Sequence, residues 1–249
     1  MSDVDIDRED LKDQLKLFQP FIRDNVQIVG KSGMNDGRVY HIARHRQSKM
    51  FPFISKRQKP DEDNTLPRIH VCSSLIGCFR SYGDFDTIGT TEVPVTKGMD
   101  KVDPDHPTYS DYRGGYYIHE LNPVVALQPN KKLTGNETLD ELWLIAYNEL
   151  TKQYPAKGIG RIVLKEVTFR PKAGSVPDVV NVFALEVTGQ DGLKLADRRY
   201  LTKGCYLVKS HNHNVESCTS ISKEEFDGVR EYSASMLNHR DSLPSFLRW

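Results

Sequence analysis

Glu141 opens an apolar run, Glu141-Leu142-Trp143-Leu144-Ile145, and a carboxylate at the mouth of a buried strand is the chain's best candidate for chemistry. An ionised carboxyl in that setting is costly unless it has a partner or a task. Three other places carry reactive side chains. His41 stands in Val39-Tyr40-His41-Ile42, Ser73-Ser74 follows Ile69-His70-Val71-Cys72, and Tyr116-Tyr117 begins Tyr116-Tyr117-Ile118-His119-Glu120-Leu121. Each has a plain reading as well. His41 reads as a half-buried strand residue, Ser73-Ser74 as a helix cap, Tyr116-Tyr117 as core and surface on alternating faces, and Glu141 as a polar strand-edge residue. A metal candidate lies further on, where His211, His213 and Cys218 are close and Cys205 is in reach if two strands pair. Zinc takes such ligands in tetrahedral array. Asn212 and Asn214 make the same stretch read as an ordinary polar turn, the spacing matches no familiar zinc module, and no metal ligand is assigned.

The elements that must position these side chains follow from periodicity. Ser2 and Asp3 can cap an amphipathic helix whose apolar face is Leu11, Leu15, Phe18 and Ile22, with Pro20 limiting its length. Gly30 to Gly37 is a turn-rich connection, so residues 1–30 are expected as a helical extension and 31–249 as a single domain. Strand composition marks 38–43, 68–72, 116–121, 141–147, 160–170, 179–187 and 199–208, with Gly204 weakening the last. Leu75, Ile76, Cys78 and Phe79 supply a short helix after Ser73-Ser74. Ser222 to Leu237 returns to helical spacing, opened by the capping-box pair Ser222 and Glu225. Residues 47–66 and 83–115 read as long loops. Repeated βαβ units are absent, so the expected fold is α+β, with a largely antiparallel or mixed sheet and few helices.

Composition narrows the function. Lys plus Arg and Asp plus Glu both number 34, so bulk charge gives no argument for nucleic-acid binding. A local basic run from Arg44 to Lys59 reads as a solvated loop or as a surface for phosphates. A mean hydropathy of -0.54 and the lack of any apolar run near the roughly 20 residues of a spanning helix predict a soluble chain with no membrane partner. Nothing at the N-terminus reads as a signal peptide. The four cysteines, Cys72, Cys78, Cys205 and Cys218, fit no disulfide scaffold, so reduced thiols and a cytoplasmic location are expected. Phosphate loops, dinucleotide fingerprints, nucleophile elbows, H-E-x-x-H and paired C-x-x-C are all missing.

Three segments occur in an informative order: Val39-Tyr40-His41-Ile42, then Glu62 to Cys78 with Pro67-Arg68-Ile69-His70-Val71-Cys72-Ser73-Ser74 at its centre, then Thr138-Leu139-Asp140-Glu141-Leu142-Trp143-Leu144-Ile145. This order resembles small proteins of phages and mobile elements, and a divergent ADP-ribosyltransferase layout. The resemblance covers about residues 38–147, with 148–249 a β-rich remainder packed on that core. It departs from the best-known transferases at Leu139, where an E-x-E motif would place a second acid. The resemblance implies NAD as substrate, with Glu141 the catalytic carboxylate that stabilises positive charge on the ribose. It also implies that His41 holds ribose or carboxamide groups, that Ser73 presents a hydroxyl and amides to phosphate or ribose, and that Tyr117 or its neighbour stacks on nicotinamide. The implied partner is a host protein or nucleic acid. The competing expectation is a non-catalytic virion, assembly or interaction protein that keeps the fold without the site.

Overall fold

Tyr116–Leu121 and Val179–Val187 form strands over the bounds their β-branched and aromatic content predicts. They belong to a computed structural model that describes residues 3–43, 45–54, 65–81, 116–134, 140–168, 179–211 and 214–227. The helices are α1 (Asp3–Leu15), α2 (Pro20–Arg23), α3 (Leu75–Ser81), α4 (Lys131–Thr134) and a start of α5 over 223–227. The strands of the main sheet are β1 (Val26–Gly30), β2 (Val39–Ala43), β4 (Ile69–Cys72), β5 (Tyr116–Leu121), β6 (Val125–Pro129), β7 (Glu141–Leu144), β9 (Lys157–Thr168), β10 (Val179–Val187), β13 (Gly204–His211) and β14 (Asn214–Ile221). Two small two-stranded antiparallel sheets accompany it, β3 (Lys49–Met50) with β8 (Tyr154–Pro155) and the hairpin β11 (Leu193–Ala196) with β12 (Arg199–Leu201).

The ten strands lie in the order β1-β6-β7-β4-β2-β5-β9-β10-β13-β14, and every pairing is antiparallel. The fold is therefore mixed α+β, mostly antiparallel and poor in helix, as the sequence predicts. Alternation along the strands sorts the core into two faces. Val39, Val71, Leu121, Leu142 and Leu144 point to one face, with Met34, Met50 and Tyr154. The opposite face carries two clusters. Tyr40, Ile42, Cys72 and Ile118 pack with Leu75 and Ile76 of α3, while Trp143, Leu127 and Ile145 pack with Leu11, Leu15 and Ile22.

The last cluster corrects the N-terminal expectation. Residues 1–30 were expected as a helical extension, yet Val26–Gly30 pair with Val125–Pro129 as the edge strand β1. Leu11 is 1% exposed and Ile22 3% because both fill the space over Trp143. Pro20 starts a second short helix rather than merely ending the first, since its missing N–H costs nothing in the first turn.

Other differences have local causes. The strand expected over 199–208 is two strands, because the chain turns at Thr202-Lys203 and Gly204 takes φ +148°, open to glycine alone. The strand expected to reach Tyr147 ends at Leu144, after which the Thr151 hydroxyl accepts the Tyr147 and Asn148 amides. Within the loop expected over 47–66, β3 pairs with β8 and Phe53 bridges Arg68. The expected loop over 83–115 lies outside the described residues, as does most of the helix from Ser222. Its capping box is formed: the Ser222 amide donates to Glu225 Oε2 at 2.7 Å and the Glu225 amide to Ser222 Oγ at 3.0 Å.

Candidate functional site

Glu141 is the first residue of β7, a strand paired on both sides and buried along its length. Its Cα partner across β4 is Cys72, and His70 lies opposite Trp143, so His70, Cys72, Glu141 and Trp143 share one sheet face. There Glu141 is 6% exposed, where the cluster over α3 meets the cluster under α1. One carboxylate oxygen takes two donors: His70 Nδ1–H at 2.7 Å and Trp143 Nε1–H at 2.5 Å. Burial alone would raise this carboxyl, but His70, Trp143 and the Arg68 charge outweigh it and hold the group below its ordinary value. Glu141 is therefore an ionised, buried carboxylate. The other oxygen, Oε2, accepts no hydrogen bond from any described residue.

His70 is held in turn. Arg68 Nε–H donates to His70 Nε2 at 3.1 Å, so Nε2 carries the lone pair and Nδ1 the proton that reaches Glu141. The Arg68 guanidinium lies 4.1 Å from the centroid of the Trp143 ring and donates through Nη1 to Leu66 O at 3.2 Å. Two donors, His70 and Trp143, thus fix one oxygen with Arg68 behind them both, and the other oxygen is left uncommitted. Such a carboxylate can stabilise a cation that develops against it, or orient a hydroxyl.

Ser73 reaches the same corner through Asp140. Its hydroxyl lies 2.8 Å from each Asp140 oxygen, and the Ser74 hydroxyl donates to Asp140 Oδ2 at 2.9 Å. Ser74 Oγ also accepts the Gly77 amide at 3.1 Å, which is the plain capping role. Gly77 is required, because a Cβ there would come 2.8 Å from Asp140 Cβ.

His41 and Tyr117 lie elsewhere. Tyr40 and Ile42 face the α3 cluster, so His41 projects from the opposite face; Tyr117 does likewise beside Ile118. The sheet therefore separates Tyr117 from Glu141, and a ring stacked on Tyr117 does not lie against that carboxylate. His41 keeps one link across. β2 and β4 share a single pair, Tyr40 with Cys72, and in the gap beyond it His41 Nδ1 donates to His70 O at 2.7 Å. Burial lowers His41 to about 4, so its imidazole is neutral near pH 7. Its cross-strand partner His119 is fully buried, accepts the Gln47 amide at Nε2 (2.9 Å), and has the sole partnerless buried side-chain polar atom among the described residues, Nδ1.

The zinc alternative is not assembled by the described residues. Cys205 pairs with Ile221 and Cys218 with Val208, three residues apart along the hairpin and so on opposite faces. The side chain of His211 and all of His213 lie outside the described residues. No group of three or more His, Cys, Asp or Glu among the described residues is placed to hold a metal, and none of the four cysteines is in a disulfide. In the basic run, His45, Arg46 and Lys49 are exposed, while Arg44, Lys56, Arg57 and Lys59 fall outside the described residues.

The residues that sequence reasoning missed are Arg68, His70 and Trp143. Alternation was readable, since Arg68 and His70 are two apart, as are Glu141 and Trp143. What the sequence withholds is that β4 lies beside β7, across roughly 70 residues of chain. No helix among the described residues is long and apolar enough to cross a membrane. Compared with known proteins, the chain matches no family model, no curated sequence and no solved structure at a significant level.

Proposed function

We propose that this chain is an ADP-ribosyltransferase-like protein that cleaves NAD and modifies a host macromolecule, with Glu141 as its catalytic carboxylate. The observation that carries this reading is the state of Glu141: buried, ionised, braced at Oε1 and uncommitted at Oε2. When the bond between ribose and nicotinamide breaks, its electron pair leaves with the ring nitrogen and positive charge grows on the sugar. A fixed anion in a dry site favours that charge far more than water does. Ser73 is tied to this site because its hydroxyl bonds Asp140, the residue that precedes Glu141. His41 and Tyr117 contribute from the other face, by supporting β4 and β5 rather than by touching the same ring.

One observation favours the alternative, a non-catalytic virion or assembly protein. The Ser73 and Ser74 hydroxyls are both committed to Asp140, as in a purely structural corner. NAD binding separates the two. A ligand bound only by the folded state raises stability by roughly 2.7 kcal/mol at a hundred times its Kd. The transferase reading expects a saturable rise in melting temperature with NAD, and a flat response up to millimolar NAD would overturn it.

A further inference from the structure

We propose that Arg68 and His70 are positioning residues that select which oxygen of Glu141 is reactive, Arg68 fixing the histidine tautomer and His70 occupying Oε1 so that Oε2 alone faces substrate. The inference rests on the catalytic reading of Glu141 but concerns a device that reading does not require. A buried carboxylate could be held by any donor. Here the donors form a directed chain.

The direction comes from Arg68. Its Nε has a proton and no lone pair, so the 3.1 Å contact with His70 Nε2 makes that nitrogen the acceptor. Neutral imidazole then carries its proton on Nδ1, 2.7 Å from Glu141 Oε1. The opposite tautomer would set two N–H groups against each other at Nε2 and leave Nδ1 and Oε1 as facing acceptors. Trp143 converges on the same oxygen, and its ring is in turn covered by Arg68 at 4.1 Å. Arg68 itself is 2% exposed and tied by its backbone to Phe53 in both directions, at 3.0 and 3.3 Å. The chain of command therefore starts from a rigid point. Both donors fall on one oxygen, so the carboxylate cannot rotate to exchange Oε1 and Oε2 without breaking two charge-assisted hydrogen bonds.

Two kinds of measurement test this. Nitrogen-15 NMR of the histidine rings reads the tautomer directly in the wild type, whether or not the protein turns over NAD. The expected spectrum has a protonated His70 Nδ1 and an unprotonated Nε2; the reverse overturns the proposal. Among variants, His70→Asn retains an N–H near the Nδ1 position, whereas His70→Leu removes it. His70→Leu is expected to lower kcat for NAD cleavage roughly tenfold to a hundredfold, the rate counterpart of one charge-assisted hydrogen bond, with little change in KM. His70→Asn is expected to restore most of that loss. In parallel, the Glu141 carboxyl should titrate higher in His70→Leu and stay near wild type in His70→Asn, a readout that a merely space-filling histidine would not give. Equal behaviour of the two variants in titration overturns the positioning role. A wild type with the expected tautomer and titrations but no NAD cleavage would instead refute the catalytic reading and leave the relay standing.

Discussion

Replacing Leu11 with Ala tests whether α1 belongs to the core. Leu11 is 1% exposed and packs in the cluster that contains Trp143, Leu127, Leu133 and Ile22. Truncating a leucine so enclosed costs about 2–5 kcal/mol, the removed methyl groups plus the cavity they leave. For a chain of this size each kcal/mol moves the melting temperature by about 2–4 °C, so the expected drop is roughly 4–20 °C. Deleting residues 1–25 removes Leu11, Leu15 and Ile22 together. At about 1.5–3 kcal/mol each, that is roughly 5–9 kcal/mol against a total stability of about 5–15. The fragment from residue 26 is therefore expected to lose its cooperative transition and to bind hydrophobic dye. Differential scanning calorimetry on both variants decides the matter. A shift below about 1 °C for Leu11→Ala, or a fragment that melts sharply near the full-length temperature, would refute the packing argument and restore the helix as an appendage.

Other outcomes follow from the same structure. Acid should weaken the fold through His41: its folded value of about 4 lies below the ordinary 6.5, so the unfolded chain takes up the proton first, and stability present above pH 6.5 is lost as pH falls to about 4. His41→Asn is expected to flatten that part of the melting-temperature profile, and an unchanged slope would count against His41. Glu186 binds Arg161 at 2.6 Å and Lys223 at 2.8 Å, which offsets the effect of burial and holds its carboxyl below the ordinary 4.5. Its contribution is present above that value and fades as pH falls through the lower folded one; Glu186→Gln should increase amide exchange at 223–227, where Phe226 is fully buried. Thiol titration of the native protein should modify Cys218, the one half-buried cysteine, ahead of buried Cys72, Cys78 and Cys205.

The sequence exposed the fold unevenly, for physical reasons. β5 and β10 were legible to the residue because aromatic and β-branched side chains fill them. β14 was not, since an edge strand exposed at Asn214, Glu216, Ser217, Thr219 and Ser220 shows no alternation. β1 was hidden by its position between a helix and a glycine-rich turn, although Val26, Ile28 and Gly30 alternate correctly. Glu141 was found because a charge at the head of an apolar strand demands a partner. His70 and Arg68 are not legible in the same way, because that partner is set by pairing, which local pattern does not encode. The mismatch at His41 and Tyr117 has the same origin. Order along the chain placed them with Glu141, but strand alternation turned both toward the opposite face.

Whether Glu141 performs chemistry can be read from one substitution. Glu141→Gln suits its test, because Gln keeps an Oε1 for the His70 and Trp143 donors and places an amide where the uncommitted Oε2 stood. The variant is therefore expected to fold with a near wild-type circular dichroism spectrum. The decisive measurement is nicotinamide released from NAD by wild type and variant under identical conditions, with host extract supplied as acceptor. Release by the wild type is expected, with a loss on the order of a hundredfold or more in Glu141→Gln. No release by the wild type, or equal release by a folded variant, would contradict the catalytic role of Glu141 and put the structural alternative first.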